Sequence, residues 1–407
     1  MKTAASALVI VCALLLSATD SAAKLRNLIP GLYGGDGITL ADPPAGTPFP
    51  THAPHFVFDT AAAISRLNDQ IATEIAVFPF SSSVGGFTFS FESALGTFVR
   101  TTETLGPLFA ERASTLGRGK FSLHASFTAF RYDEFNGQDL SDLMVVARHQ
   151  PDTIPPNDVQ TSFELDTIHI HVDLDIRVQM LAMAATYGVT DRLDIGLLVP
   201  IVRVDMDVRA RAEIVPSPDN PFPAVHTFVG GPESPNDAAS GDAIGIGDIV
   251  LRAKYYLLKS DIVDLAAAML VKLATGDTDN FLGTGDTTIR PLVILSRTFS
   301  GFVLPRLNFT PHLNLGFEWN VDRGSQNALE YVIGFDVGTR RITFAGEFLG
   351  SHELQGDGIG DTILTASVGM KWNPFGRFLL IANVQFPLND DGLRADWIPT
   401  AGVEYNF

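Results

Sequence analysis

The stretch Ile168–Gln179, IHIHVDLDIRVQ, alternates without a fault. Ile168, Ile170, Val172, Leu174, Ile176 and Val178 fall on one face. His169, His171, Asp173, Asp175, Arg177 and Gln179 fall on the other. Period two marks a β-strand with unlike faces. A globular strand usually has about five or six residues. This one is longer and fits a tilted strand crossing a bilayer, which needs roughly 9–11 residues.

The pattern recurs. Leu307, Phe309, Pro311, Leu313, Leu315, Phe317 and Trp319 share a face, opposite Asn308, Thr310, His312, Asn314 and Glu318. Twelve strands are expected, near 121–131, 164–187, 193–212, 244–258, 265–275, 287–299, 307–319, 329–338, 341–349, 361–372, 377–387 and 396–407. Their connections alternate between long and short. Gly188–Arg192, Lys259–Asp264, Ser300–Arg306, Gly338–Arg340 and Asn373–Gly376 are the short ones. Long outer loops and tight periplasmic turns belong to an antiparallel up-and-down transmembrane β-barrel. The final strand alternates through Trp397, Pro399, Ala401, Val403, Tyr405 and Phe407 to the carboxyl end. That ending resembles the signal that bacterial outer-membrane barrels present to their assembly machinery, carried here by Val403, Tyr405 and Phe407.

Composition narrows the classes. Lys and Arg number 28 against 46 Asp and Glu, a formal net charge of -18. That excludes a nucleic-acid binder, which needs a basic footprint. Hydrophobic residues at 46% exclude a disordered chain, and a single cysteine excludes a disulfide scaffold. Lys2, the apolar run Ala4–Leu16 and Ser21-Ala22-Ala23 read as a cleavable secretory signal over residues 1–23. No later stretch is long and apolar enough for a membrane helix. An exported chain of this pattern is expected in a bacterial outer membrane.

Residues 24–120 form a separate segment before the barrel proper, 121–407. Ile64, Leu67, Ile71 and Ile75 have helical spacing, whereas Phe87, Phe89 and Phe91 alternate. Two placements are open, a plug inside the barrel or an amphipathic helix on its periplasmic rim. A phase change is also visible. Apolar residues occupy odd positions from Leu193 to Ile201 and even positions from Val202 to Val208, with Pro200 at the switch. A one-residue slip turns a strand inside out, so a β-bulge is expected within Val199–Val202.

The chain resembles the bacterial outer-membrane family of meta-pathway phenol-degradation proteins. The resemblance lies in Gly245-Ile-Gly247-Asp248 running into Leu251-Arg-Ala-Lys254-Tyr255. It continues in Lys272-Leu-Ala-Thr-Gly276-Asp277, in Gly283-Thr-Gly285-Asp286 and in the turn Tyr187-Gly-Val-Thr-Asp-Arg-Leu-Asp194. It covers about residues 165–407 and implies a channel or uptake barrel for small, perhaps aromatic, solutes. Residues before 120 depart from the family's common pattern.

The candidate pore lining comprises His169, His171, Asp173, Asp175, Arg177, Arg203, Asp205, Asp207, Arg209, Arg211, His312 and Glu318. These charges either orient polar solutes or pair off and fill the interior. His169-x-His171, with Asp173, has metal-ligand types but no evident third or fourth partner. His124-x-Ser126 carries a hydrolase pair without an identifiable acid. The Gly-x-Gly-Asp runs at Gly245, Gly283 and Gly358 lack the following helix of a dinucleotide site and read as strand re-entry turns; a calcium role for these runs is a weaker reading. Acidic outer loops suggest divalent cations bridging to lipopolysaccharide, with plain solvation as the alternative. No cofactor and no enzymatic step are expected. The partners are outer-membrane lipid and lipopolysaccharide, the assembly machinery and a small solute. The alternative function is a non-conducting barrel that anchors or adheres.

Overall fold

The structure is a computed structural model describing residues 24–34, 38–41, 86–92, 97–148, 166–218, 226–229, 235–355 and 361–407, with parts of 61–71. Residues 1–23, with the signal reading, and Ile75 and Gly358 lie outside the described residues. Two short strands, β1 (Phe89–Glu92) and β2 (Thr97–Arg100), pair as a hairpin. Then follow β3 (Phe121–Tyr132), β4 (Glu134–Phe135), β5 (Gln138–Asp139), β6 (Leu143–Arg148), β7 (Thr167–Gly188) and β8 (Leu193–Val215). Next come β9 (Asn236–Ile246), β10 (Ile249–Leu258), β11 (Asp264–Leu273), β12 (Thr288–Ser296), β13 (Asn308–Asn320) and β14 (Ala328–Gly338). The chain ends in β15 (Ile342–Glu353), β16 (Thr362–Phe375), β17 (Phe378–Pro387), β18 (Leu393–Arg394) and β19 (Ile398–Asn406).

Twelve of these close a barrel by antiparallel neighbour pairing, in the order β3-β7-β8-β10-β11-β12-β13-β14-β15-β16-β17-β19, with β19 returning to β3. Closure leaves no strand edge at membrane depth, the condition for crossing a bilayer with strands. The outer face carries an apolar belt. Phe127, Leu197, Leu251, Val293, Leu315, Phe335, Phe344 and Val368 are all exposed. Tyr187, Tyr255, Trp372 and Tyr405 ring the short-turn end and Trp319 and Trp397 the long-loop end. Such aromatic girdles mark the two interfaces of a membrane barrel. The twelve expected strands and their long and short connections are all present.

β7 and β8 outgrow the membrane. A strand of 23 residues, at about 3.3 Å per residue, spans about 75 Å, against about 30 Å of hydrocarbon. Their upper halves form a four-stranded sheet with β6 on one flank and β9 on the other. This overturns the expected bulge. The β7–β8 ladder runs from Gly188–Asp194 to Thr167–Val215 in one unbroken register. Even positions point inward along its whole length, and only the chemistry of the two faces exchanges. Below Pro200 the outer face meets lipid, so Ile195 and Leu197 lie there; above it the outer face meets water, so Arg203 and Asp205 do. The extra residue sits on the neighbouring strand: Ile246 faces Ile201 and Val250 faces Leu198. Gly247 absorbs it and donates its N–H to Pro200 O at 2.9 Å.

The apolar inner face of the extension is covered. Ile168, Ile170, Val172, Leu174, Val202, Val204 and Met206 pack with Leu25, Ile29, Leu32, Leu40, Ile64 and Ile71 in one buried cluster. Burying each such side chain contributes about 1.5–3 kcal/mol. Polar contacts fix the same segment. Leu25 N–H donates to Asn280 at 3.2 Å and Tyr33 N–H to Asp237 at 2.6 Å. Burial, with Asp237 adding, pushes the Tyr33 hydroxyl above its ordinary pKa. The described helical residues therefore sit at the long-loop end, not on a rim beside the short turns.

Candidate functional site

The inner face at membrane depth is polar, and much of it serves one segment. Residues 105–116 cross the lumen near the short-turn end, and side chains from five strands bind their backbone. Leu105 N–H donates to Thr343 at 2.8 Å, and Leu108 and Phe109 N–H donate to the Glu347 carboxylate at 2.7 Å each. Asn314 accepts from Glu111 N–H at 2.6 Å and returns a bond to Glu111 O at 3.0 Å. Ser296 accepts from Ala113, and both oxygens of Asp194 accept from Leu116. Lys254 donates to the carbonyls of Arg112 and Ser114 at 3.0 and 2.7 Å. An irregular segment crossing the inside of a barrel has no ladder partner, so its buried N–H and C=O groups need these side chains.

Above this segment lies a cavity of about 420 Å³, within the size range of small-molecule sites. Phe109 and Glu111 belong to its floor. Leu198, Val250, Leu270, Leu292 and Leu349 supply apolar wall, and Phe130, Tyr132, Leu393 and Ala395 lie toward the long-loop end. Phe130 and Tyr132 meet edge to face with ring centroids 5.1 Å apart.

Charges punctuate that surface in pairs. Arg252 binds both oxygens of Glu111, with Nε to Oε1 at 2.6 Å. Arg290 pairs with Glu330, and Glu318 and Lys272 line the same space. Deeper in the lumen His312 Nε2 meets Asp336 Oδ2 at 2.5 Å, both fully buried. The arrangement offers apolar contact to a ring and hydrogen-bonding groups to a polar substituent.

The lid of the cavity is a small sheet. β4 pairs with β5 and with β18. Asn136 N–H donates to Gly392 O, and Gly392 N–H returns to the Asn136 side chain at 2.8 Å. Arg394 donates to Leu364 O and to Asn389, each at 2.6 Å.

Of the sequence-derived pore lining, His312 and Glu318 face inward. The other ten do not. His169, His171, Asp173, Asp175, Arg177, Arg203, Asp205, Asp207, Arg209 and Arg211 occupy the outer, water-facing side of the extension. Alternation separates two faces without saying which is inside, and here the strands have left the membrane. They do bring opposite charges together: Arg177 and Arg131 with Asp175, Arg203 with Asp205, Arg209 with Asp173. His171 pairs with Asp142 at 2.7 Å. His124 and Ser126 face the lumen and are buried. The inner charges Glu111, Arg252, Lys254, Arg290, Glu330 and Glu347 lie outside the lining expected from the sequence. For the five on strands the signal is a lone charge at an inward position within an otherwise apolar strand, as in Leu251-Arg-Ala-Lys254-Tyr255; Glu111 lies on the irregular crossing segment and carries no such signal.

The glycine-rich motifs converge on one carboxylate. Asp248 accepts from the N–H groups of Thr275, Gly276 and Thr284 and from the Thr284 hydroxyl, at 2.8–3.2 Å. A Cβ on Gly283 would lie 2.4 Å from Asp248 Oδ1. Asp286 binds Arg323 and, at 3.0 Å, Asn320.

A family profile described as "Putative MetA-pathway of phenol degradation" matches residues 147–394, more than half of the chain. No curated protein sequence matches. Among solved structures, an outer-membrane channel from Pseudomonas putida F1 is 13% identical, with a TM-score of 0.43 over 72% of this chain and 98% of that one. The NanC porin is 9% identical, with a TM-score of 0.37 over 69% and 98%. A deltaS2S3 mutant of TodX, a monoaromatic hydrocarbon channel, is 11% identical, with a TM-score of 0.33 over 73% and 92%. Likeness at this level leaves the fold resting on the strand pairing itself.

Proposed function

This chain belongs to the phenol-degradation MetA-pathway family, and from that membership we propose an outer-membrane uptake channel for small solutes that carry an aromatic ring and a polar group. The observation that carries the reading is the cavity of about 420 Å³ inside a closed barrel, apolar in most of its wall and set with paired charges. A ring finds Phe109, Leu270 and Leu292; a hydroxyl or carboxylate finds Arg290, Lys272 or Glu318. Passage, not bond chemistry, is the activity. On this reading the long loops face outward, the short turns face the periplasm, and residues 1–23 direct export. Lipopolysaccharide surrounds the charged outer face, and the assembly machinery receives the final strand.

A second reading has its own observation. Residues 105–116 cross the lumen with their backbone bound from five strands, as expected of a barrel that conducts nothing and serves as an anchor. Planar-bilayer conductance and liposome swelling with phenol-sized solutes, using the full barrel and a variant lacking 24–120, separate the two. Permeation by either protein supports uptake. Silence from both, with the barrel folded, overturns it.

A further inference from the structure

Two side-chain amides buried in the barrel wall, Asn383 and Gln385, have no hydrogen-bond partner among the described residues. On the inner face of β15, β16 and β17, Glu347, Ser367 and Gln385 stand opposite one another in register. Gln385 lines the cavity, as do its neighbours Leu349 and Thr365. Asn383 lies two residues along β17, nearer the short turn. Ser367 Oγ and both polar atoms of each amide are unpartnered among the described residues. Ser367, Asn383 and Gln385 are only 0%, 7% and 1% exposed, so bulk water does not serve them.

The polar groups beside them are engaged elsewhere. Glu347, opposite Ser367, binds the backbone of 108–110. Thr400, opposite Asn383, meets the Thr128 hydroxyl at 2.9 Å. The wall also makes room for the amide: a Cβ on Gly369 would lie 2.6 Å from Asn383 Cβ. Burying polar atoms without partners costs stability, and five of them together call for an explanation.

The charges of the cavity are placed differently. Arg252 and Arg290 already hold Glu111 and Glu330, and Glu318 offsets Lys272. A solute carboxylate drawn to either arginine would displace its partner and leave a buried charge uncompensated. Ser367, Asn383 and Gln385 carry no charge and supply both donors and acceptors. Their complement is a neutral group that also does both.

We propose that Ser367, Asn383 and Gln385 form the site for the solute's polar group, and that the solutes it takes are neutral aromatics bearing a hydroxyl or a primary amide. The ring rests on Phe109 and Leu349, which pack together and line the same cavity. Asn383 offers the next bonds toward the short-turn end. The proposal rests on the uptake reading and names the class of solute admitted.

The test uses the full chain folded in detergent, titrated with para-fluorobenzamide or para-fluorobenzoate and followed by fluorine NMR, with detergent alone as the blank. The amide is expected to bind more tightly than the benzoate. Gln385→Met is expected to weaken the amide about tenfold, as the loss of one or two hydrogen bonds does, and to leave the benzoate unchanged. Ser367→Ala is expected to weaken it severalfold. Because Gln385→Met removes an unpartnered buried amide, its melting temperature is expected to hold or rise, which separates lost recognition from lost folding. A lower melting temperature would mean that the amide was already bonded within the protein, and overturns the site. So does unchanged amide binding in both variants, or benzoate bound more tightly than benzamide by the unaltered chain; each of these leaves the uptake reading standing. Neither probe bound by the unaltered chain removes the uptake reading and the site together.

Discussion

Glu111, on the segment that crosses the lumen, is held by Arg252 of β10 in a two-pronged ion pair with both side chains almost fully buried. The pair ties the floor of the cavity to its wall. Removing one partner leaves a charge without compensation in a place that water barely reaches, which costs about 3–5 kcal/mol. Arg252→Met is therefore expected to loosen residues 105–116, seen as faster limited proteolysis of the folded barrel. The double variant Glu111→Gln, Arg252→Met removes both charges and is expected to recover most of the protection. A double variant as sensitive as the single one would show that the pair does not set the seating.

Glu347 accepts from Leu108, Phe109 and Ala110 and so anchors the middle of the same segment. Glu347→Ala deletes that acceptor and leaves buried N–H groups wanting partners, at about 1–3 kcal/mol for each one not re-satisfied. More frequent or larger single-channel openings are expected in planar bilayers. Glu347→Gln keeps one acceptor oxygen and should fall between. Unchanged traces in Glu347→Ala would mean that other bonds suffice to hold the segment.

Along β8 the outer face changes from lipid-facing to water-facing near Pro200. A thiol at position 205 or 207 should then react with a membrane-impermeant maleimide on intact cells, whereas one at 204 or 206 should not. Asp205→Cys, Asp207→Cys, Val204→Cys and Met206→Cys make the set; the natural sequence adds only Cys12. Labelling at the even positions alone would restore the charges to the lumen.

Much of this was legible beforehand, and the limits have a physical cause. Strand bounds and loop lengths follow from period-two runs and turn residues, which are local properties, so the twelve strands emerged from the sequence. Sidedness is not local. The face of β7 that holds Asp173 and Asp175 looks the same whether water lies in a pore or outside the cell. Only its length, 22 residues, hinted that half the strand leaves the membrane. The cavity drew on Phe109, Arg252, Arg290 and Glu330 from distant parts of the chain, and no spacing rule brings those together. His312 and Glu318 were legible because β13 stays within the membrane, where an apolar face must point outward.

The loop motifs yield a sharp comparison. Asp248 collects four hydrogen bonds from 275–276 and 284, so Asp248→Ala should release the connection between β11 and β12. A carboxylate acceptor of this kind contributes roughly 1.5–3 kcal/mol per charged bond. Gly283→Ala reaches the same end by sterics, since its Cβ would meet Asp248 and Gly276 at 2.4 and 2.7 Å. Both are expected to lower the thermal midpoint of the barrel and expose this loop to protease. Added calcium should change neither, because the carboxylate is already engaged by the chain. A calcium-dependent rise in the unaltered protein that Asp248→Ala abolishes would reassign the motif to a cation.

The final strand carries a prediction about assembly as distinct from stability. Tyr405 and Phe407 stack edge to face with centroids 4.8 Å apart, and Phe407 also meets Phe121 across the seam that closes the barrel. Phe407 N–H donates to Phe121 O at 2.8 Å, a backbone bond that any residue at 407 can make. Phe407→Ala therefore leaves the ladder intact and loses only exposed aromatic contact, worth about 0.5–1.5 kcal/mol. Were the ring merely structural, folded protein would reach normal levels with a slightly lower melting point. If instead the strand is read by the assembly machinery, the heat-modifiable folded form in cells should fall several times further than that loss allows. Refolding from urea into detergent, where no machinery acts, should stay near normal. Equal deficits in cells and in detergent would place the whole effect in the barrel seam.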